Sequence, residues 1–209
     1  MKKIILSAIC GISLLINSVN ADTSLEDELK SASSGTISSR FRVGYSLGGG
    51  YQGRIGGDGD TKIQGFLLEG GIYTLFNPIR NFLDMEIGLS GKYNTGMSTS
   101  NDSGGETYYA GLAQVTLYGG TIFRFGETKK ALAVGVSKAL YIDEVQTDDL
   151  KDAGIEKHDL ENGIGAYMEY QSGDKEIFFA RVEIEKIDVV SETETSKDTI
   201  GSILFGMKF

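Results

Sequence analysis

The chain has no Trp and only one Cys, one His and one Pro in 209 residues. One Cys makes no internal disulfide, and one His with one Cys supplies none of the usual His/Cys zinc cages. Any His-dependent catalysis would rest on His158 alone. Basic residues are also in short supply: 20 Lys and Arg stand against 29 Asp and Glu, a net charge of −9. That balance excludes nucleic-acid binding through a basic footprint. Beyond the first stretch there is no helix-length apolar run, and 3.6-residue periodicity is scarce.

Residues 1–21 have the layout of a cleaved Sec signal peptide. Lys2 and Lys3 precede an apolar run from Ile4 to Ile16, and Val19-Asn20-Ala21 is small at −3 and −1. A lipoprotein signal needs a small residue before its cysteine, and Cys10 follows Ile9. Cleavage after Ala21 would remove two lysines and the only Cys, leaving 188 residues at −11. Residues 22–36 form an acidic leader expected in the periplasm. Thr23 and Glu26 have capping-box spacing, and Leu25 and Leu29 lie at i, i+4. A loosely docked segment and a partial plug are both open for it.

From residue 37 to 209 the recurring pattern is period two, the mark of a strand with two chemically different faces. Ile37, Phe41, Val43, Tyr45 and Leu47 alternate with Ser38, Arg40, Arg42, Gly44 and Ser46. Leu83, Met85, Ile87 and Leu89 alternate with Asp84, Glu86, Gly88 and Ser90. Weaker alternation runs through 66–72, 109–117, 131–142, 164–170, 178–184 and 203–209. In the fifth stretch Leu132, Val134, Val136, Leu140 and Ile142 share the apolar side, which Lys138 interrupts. Short turns are expected at 77–80, 126–129 and 172–175, and longer polar loops at 48–60, 95–106, 143–160 and 188–198. Long and short connections alternate, which puts the long loops at one end of the sheet. The pattern predicts an all-β fold, a single antiparallel up-and-down transmembrane β-barrel of eight strands. Ten strands become an option if 107–125 breaks at Gly119-Gly120.

Alternation alone fits a soluble lipocalin-like barrel as well. The polar face decides for the membrane version. It concentrates Gly, Ala and Ser, and it carries six charges of each sign: Arg40, Arg42, Lys92, Arg124, Arg181 and Lys208 against Glu69, Asp84, Glu86, Glu169, Glu183 and Glu185. Such balance suits a paired lumen network. The last strand points the same way, with Ile203, Phe205 and Met207 alternating toward a terminal Phe209. That ending, ILFGMKF, resembles the C-terminal assembly signal of bacterial outer-membrane proteins, and the eight strands resemble the small OmpA/OmpX-type barrels. The resemblance covers the barrel alone, without a peptidoglycan-binding domain. It implies Gram-negative outer-membrane localisation, with outer-membrane lipid, lipopolysaccharide and the barrel-assembly machinery as partners. Members of that group usually carry Trp at the membrane interfaces; here Tyr and Phe would serve.

Two roles follow as expectations. One is a non-enzymatic structural or surface-interaction role through acidic extracellular loops. The other is a small porin-like passive channel for ions or small solutes, depending on whether the lumen charges pair tightly. The loop acids are Asp143, Glu144, Asp148, Asp149, Asp152, Glu156 and Asp159, then Asp188, Glu192, Glu194 and Asp198. They suit a solvated surface or capture of divalent cations, although 149–154 lacks the third-position carboxylate of an EF-hand loop. A lipid A-modifying enzyme is the remote option, because His158 has no Ser between Asp143 and Gln171 to work with. No cofactor and no resident metal site are expected.

Overall fold

A computed structural model describes residues 41–58, 63–79, 83–100, 107–125, 129–145, 159–173, 176–190 and 195–209. They form eight strands: β1 Phe41–Gly57, β2 Gln64–Ile79, β3 Leu83–Ser100, β4 Thr107–Arg124, β5 Lys130–Val145, β6 Asp159–Gly173, β7 Ile177–Val190 and β8 Thr195–Lys208. Each neighbours the next in sequence, and β1 closes on β8 through an antiparallel ladder from Ser46↔Lys208 to Gly57↔Asp198. The expected closed barrel of eight antiparallel strands is what the chain forms. β4 runs unbroken through Gly119 and Gly120, so the ten-strand option is excluded.

The strands are longer than the alternation indicated. β1 continues to Gly57 through residues read as loop, β3 reaches Ser100, β7 reaches Val190 and β8 starts at Thr195. Glycine caused the first error. Gly48, Gly49, Gly50 and Gly53 look like turn punctuation, yet they are strand residues of β1. Elsewhere in the sheet the cause is close approach: a Cβ on Gly88 would lie 2.5 Å from the Tyr118 hydroxyl, and one on Gly135 2.5 Å from the Tyr167 ring. Each of these glycines is the direct cross-strand partner of its tyrosine. The inward rings take the space that the missing side chains leave.

At 14 to 18 residues, and about 3.3 Å per residue, these strands are long. A transmembrane strand needs only about 9–11 residues. The surplus lies at the end where the long connections emerge, and there the polarity of the two faces inverts. Along β7 the outer face reads Phe178, Ala180, Val182 and Ile184, while Arg181, Glu183 and Glu185 are buried inside. Further along, Lys186 and Asp188 point outward and Ile187 and Val189 inward. The far end of β7 thus belongs to a collar, apolar inside and polar outside, beyond a stretch with the opposite arrangement.

Inside, three apolar clusters divide the lumen. Ile63, Leu112, Leu160, Ile187, Val189 and Ile200 fill the collar end. Tyr73, Leu75, Tyr118, Ile122, Ala131, Ala133 and Tyr167 fill the short-turn end. Leu67, Phe179 and Leu204 pack between them. Ile142 departs from its expected outward position and packs inward on the collar cluster. The cause is a bulge: Val115 pairs with Tyr141 but Thr116 with Ala139, so Leu140 is an extra residue and the parity flips beyond it.

Candidate functional site

Inner-face parity brings charged side chains from five strands, β2, β3, β6, β7 and β8, together in the lumen. Arg181 on β7 is 2 % exposed and donates from Nη1 to Glu69 Oε1 at 2.9 Å and from Nε to Glu169 Oε2 at 2.8 Å. Its guanidinium also lies 5.0–5.3 Å from the ring centroids of Tyr118, Tyr167 and Phe179, an arrangement that favours Arg through cation–π attraction. Lys208 on β8 donates to both Glu86 oxygens at 2.8 and 2.7 Å and meets Glu169 Oε1 at 2.7 Å. Glu169, wholly buried, is the hub: it accepts from Arg181, from Lys208 and from Gln171 at 2.6 Å.

A second group lies toward the collar. Lys92 donates to Glu183 Oε2 at 2.6 Å, and the Ser137 hydroxyl donates to the other oxygen at 2.6 Å. Glu185 accepts from the Gln114 amide at 2.5 Å. Near the short-turn end Arg124 forks onto Asp84. The hydroxyls of Ser46, Ser90, Thr116, Tyr118 and Tyr167 are buried without a protein partner, which is the kind of position internal water occupies. The interior is a polar chamber between apolar ends.

Of the twelve charges expected in the lumen, ten lie on the buried or half-buried inner face: Glu69, Asp84, Glu86, Lys92, Arg124, Glu169, Arg181, Glu183, Glu185 and Lys208. Arg42 is exposed at the short-turn rim, and Arg40 lies outside the described residues. Six acids therefore meet four cations among these ten, rather than six. Sequence reading missed several partners. Gln114, Gln171 and Ser137 look neutral and unremarked, and Arg54 with Asp198 pairs at 2.8 Å inside the collar. Asp198 and Glu144, counted as loop acids, are 0 % and 2 % exposed on inner strand faces. The collar's inward apolar side chains were equally unforeseen.

The outer wall carries Phe41, Val43, Leu47, Phe66, Leu68, Ile87, Val136, Leu140, Phe178 and Phe205, all exposed by more than half. Of the proposed assembly residues, Ile203 and Phe205 face outward and exposed, and Met207 and Phe209 are half-buried. Phe209 stacks on Tyr45 with centroids 5.0 Å apart and exchanges two backbone hydrogen bonds with it. His158, the signal segment, the leader and most acidic-loop residues lie outside the described residues. Among the described residues no cluster of three His, Cys, Asp or Glu could hold a metal ion.

No protein-family model and no curated protein matches the chain. Among solved structures it is similar to Ail, the attachment invasion locus protein of Yersinia pestis, in complex with the heparin analogue sucrose octasulfate. Identity is 14 %, over 81 % of this chain and 97 % of that one, with a TM-score of 0.35. It is also similar to the outer membrane protein AlkL in DMPC lipid bilayers, at 9 % identity over 81 % and 89 % of the two chains, with a TM-score of 0.36. The architecture is that of a small eight-stranded outer-membrane-type barrel, and it rests on the closed sheet described above.

Proposed function

We propose that this protein is an exported, non-conducting outer-membrane barrel that anchors an acidic surface on the outside of the cell. The supporting observation is the combination of an apolar outer wall with a lumen that holds apolar clusters and buried ion pairs. Apolar clusters occupy both ends, and Arg181, Lys208 and Lys92 are each ion-paired between them. Lipid is the solvent that suits such a wall, since a soluble barrel would expose a contiguous apolar band to water. An eight-stranded lumen has room for side chains and little else.

The acids that remain between strands, Asp148, Asp149, Asp152, Glu156, Glu192 and Glu194, give the outer rim its charge. They suit bridging through divalent cations to lipopolysaccharide phosphates, or repulsion of anionic partners. Export would proceed through cleavage after Ala21, and insertion through recognition of the Ile203, Phe205, Met207 and Phe209 face by the barrel-assembly machinery. Planar bilayer recording on the refolded protein tests the central claim. Silence is expected; reproducible open steps that change on Glu86→Gln would replace this reading with the channel.

A further inference from the structure

The polar chamber between the apolar clusters carries more acid than base. Glu69, Glu86, Glu169, Glu183 and Glu185 face Lys92, Arg181 and Lys208, an excess of two carboxylates among the described residues. Arg124 with Asp84 at the short-turn end and Arg54 with Asp198 in the collar are balanced pairs that lend the chamber no cation. A low-dielectric interior holds such an excess only with a counter-charge, taken up as protons or as a bound cation.

Three buried oxygens on neighbouring strands mark a place for a cation. Glu69 Oε2, Ser90 Oγ and Thr116 Oγ1 belong to residues 4 %, 2 % and 0 % exposed, and none of the three has a protein partner. Ser90 on β3 and Thr116 on β4 are direct cross-strand partners, with Cβ atoms about 5 Å apart. Their hydroxyls are within reach of a mutual hydrogen bond, yet neither donates to the other. Glu69 on β2 is opposite Lys92, one diagonal step from Ser90 on the same inner face. Gly71, the direct partner of Ser90, contributes no side chain between them, and a Cβ there would lie 3.0 Å from that of Ser90. An ion of about calcium's radius, sodium included, holds oxygen ligands at about 2.3–2.6 Å, so two opposed ligands stand about 5 Å apart. Hydroxyls projecting side by side from the Ser90–Thr116 pair match that span. One carboxylate oxygen and two neutral hydroxyls suit a monovalent ion, and among the described residues no three carboxylates gather for a heavier charge. We propose that the chamber binds a sodium ion at Glu69, Ser90 and Thr116, taken up as the barrel closes between its apolar ends. Water alone would satisfy the hydroxyls and leave the charge excess in place. The inference goes beyond the outer-membrane reading and needs only the closed barrel.

Refolding the full chain in detergent tests it, once in sodium chloride and once in choline chloride at equal concentration. The two salts screen alike, and choline is too large for the site. Urea unfolding should give an unfolding constant about tenfold smaller in sodium, the effect of an ion present at about ten times its dissociation constant. Thr116→Val removes one oxygen at nearly constant shape and should bring that ratio to about one; Ser90→Ala should do the same. Thallous ion, a heavy monovalent substitute, should give an anomalous difference peak in crystals between Ser90 and Thr116. Equal stability of the wild type in both salts, a sodium effect that survives both variants, or a thallous peak only at surface acids would each overturn the proposal. Stability that follows pH and ignores the cation would overturn it too, because protons would then carry the balancing charge. A heat-modifiable band on a gel must accompany every sample. A wild-type chain that never gives one refutes the membrane-barrel reading itself, whereas a folded barrel indifferent to sodium refutes the ion site alone.

Discussion

Replacing Arg181 by Met measures how dry the lumen is. The guanidinium holds two buried carboxylates, Glu69 and Glu169, with side chains 1 % and 0 % exposed. At an effective dielectric near 20, unit charges about 4 Å apart attract by about 4 kcal/mol; in bulk water the same pair is worth about 1 kcal/mol. Removing one partner of a buried pair also strands the other charge, and such losses run at about 3–5 kcal/mol. Unfolding in urea from lipid vesicles, followed by far-UV circular dichroism, reports the difference. With a slope of about 2 kcal/mol per molar, the midpoint should fall by about 2 M. Neutralising the carboxylates as well, in Arg181→Met/Glu69→Gln/Glu169→Gln, should recover most of that loss, because no buried charge is then unpaired. A fall of about 0.5 M or less in the single variant would mean that water solvates the layer. The filled-lumen reasoning would then be wrong.

Other perturbations read the walls. Val134→Arg places a cation in the middle of the outer belt on β5 and should cost about 2–4 kcal/mol in the same assay, while Val145→Arg in the collar should cost about 0–1 kcal/mol; equal costs would refute the proposed membrane boundary. Gly88→Val drives a side chain into the Tyr118 ring and should abolish the heat-modifiable band. Gly91→Ala, whose new Cβ would be 3.9 Å from its nearest neighbour, should leave that band unchanged.

The outer face of the barrel was legible wherever bulky apolar residues alternate with charged or small ones. Phe41 to Leu47 and Leu83 to Leu89 show their parity in sequence because lipid and lumen demand opposite chemistry at consecutive positions. What sequence could not show has three physical causes. In the collar the faces change character: Ile187 and Val189 point inward while Lys186 and Asp188 point outward, so the end of β7 reads as a loop. Bulges break the parity without a composition signal, as at Leu140 and between Glu161 and Ile164, where Asn162 takes a φ of 52°. Some ion-pair partners cross the lumen rather than the ladder. Lys208 and Glu86 are 122 residues apart and Arg181 and Glu69 are 112 apart, on strands that do not touch in the sheet. Composition indicated which charges exist, but not which of them meet.

The change of polarity along the outer face of β7 also bears on how such a barrel would keep its depth. A wall that is uniformly apolar outside could slide along the membrane normal at little cost. Here the outer face passes within two residues from Ile184 to Lys186 on β7 and from Val136 to Lys138 on β5. Sinking the barrel by one such step would carry both lysines into hydrocarbon, and raising it would expose Ile164, Ile184 and Ile203 to water. The inner face imposes the matching constraint on register. A one-residue slip of β7 would turn Arg181, Glu183 and Glu185 outward into lipid and bring Val182 and Ile184 against Lys92 and Glu169. The ion pairs therefore add less to net stability than their short distances suggest, since the desolvation of six acids and four cations offsets them. Their larger effect is selective: every alternative register leaves several of these charges without a partner in a low-dielectric medium, so one arrangement remains.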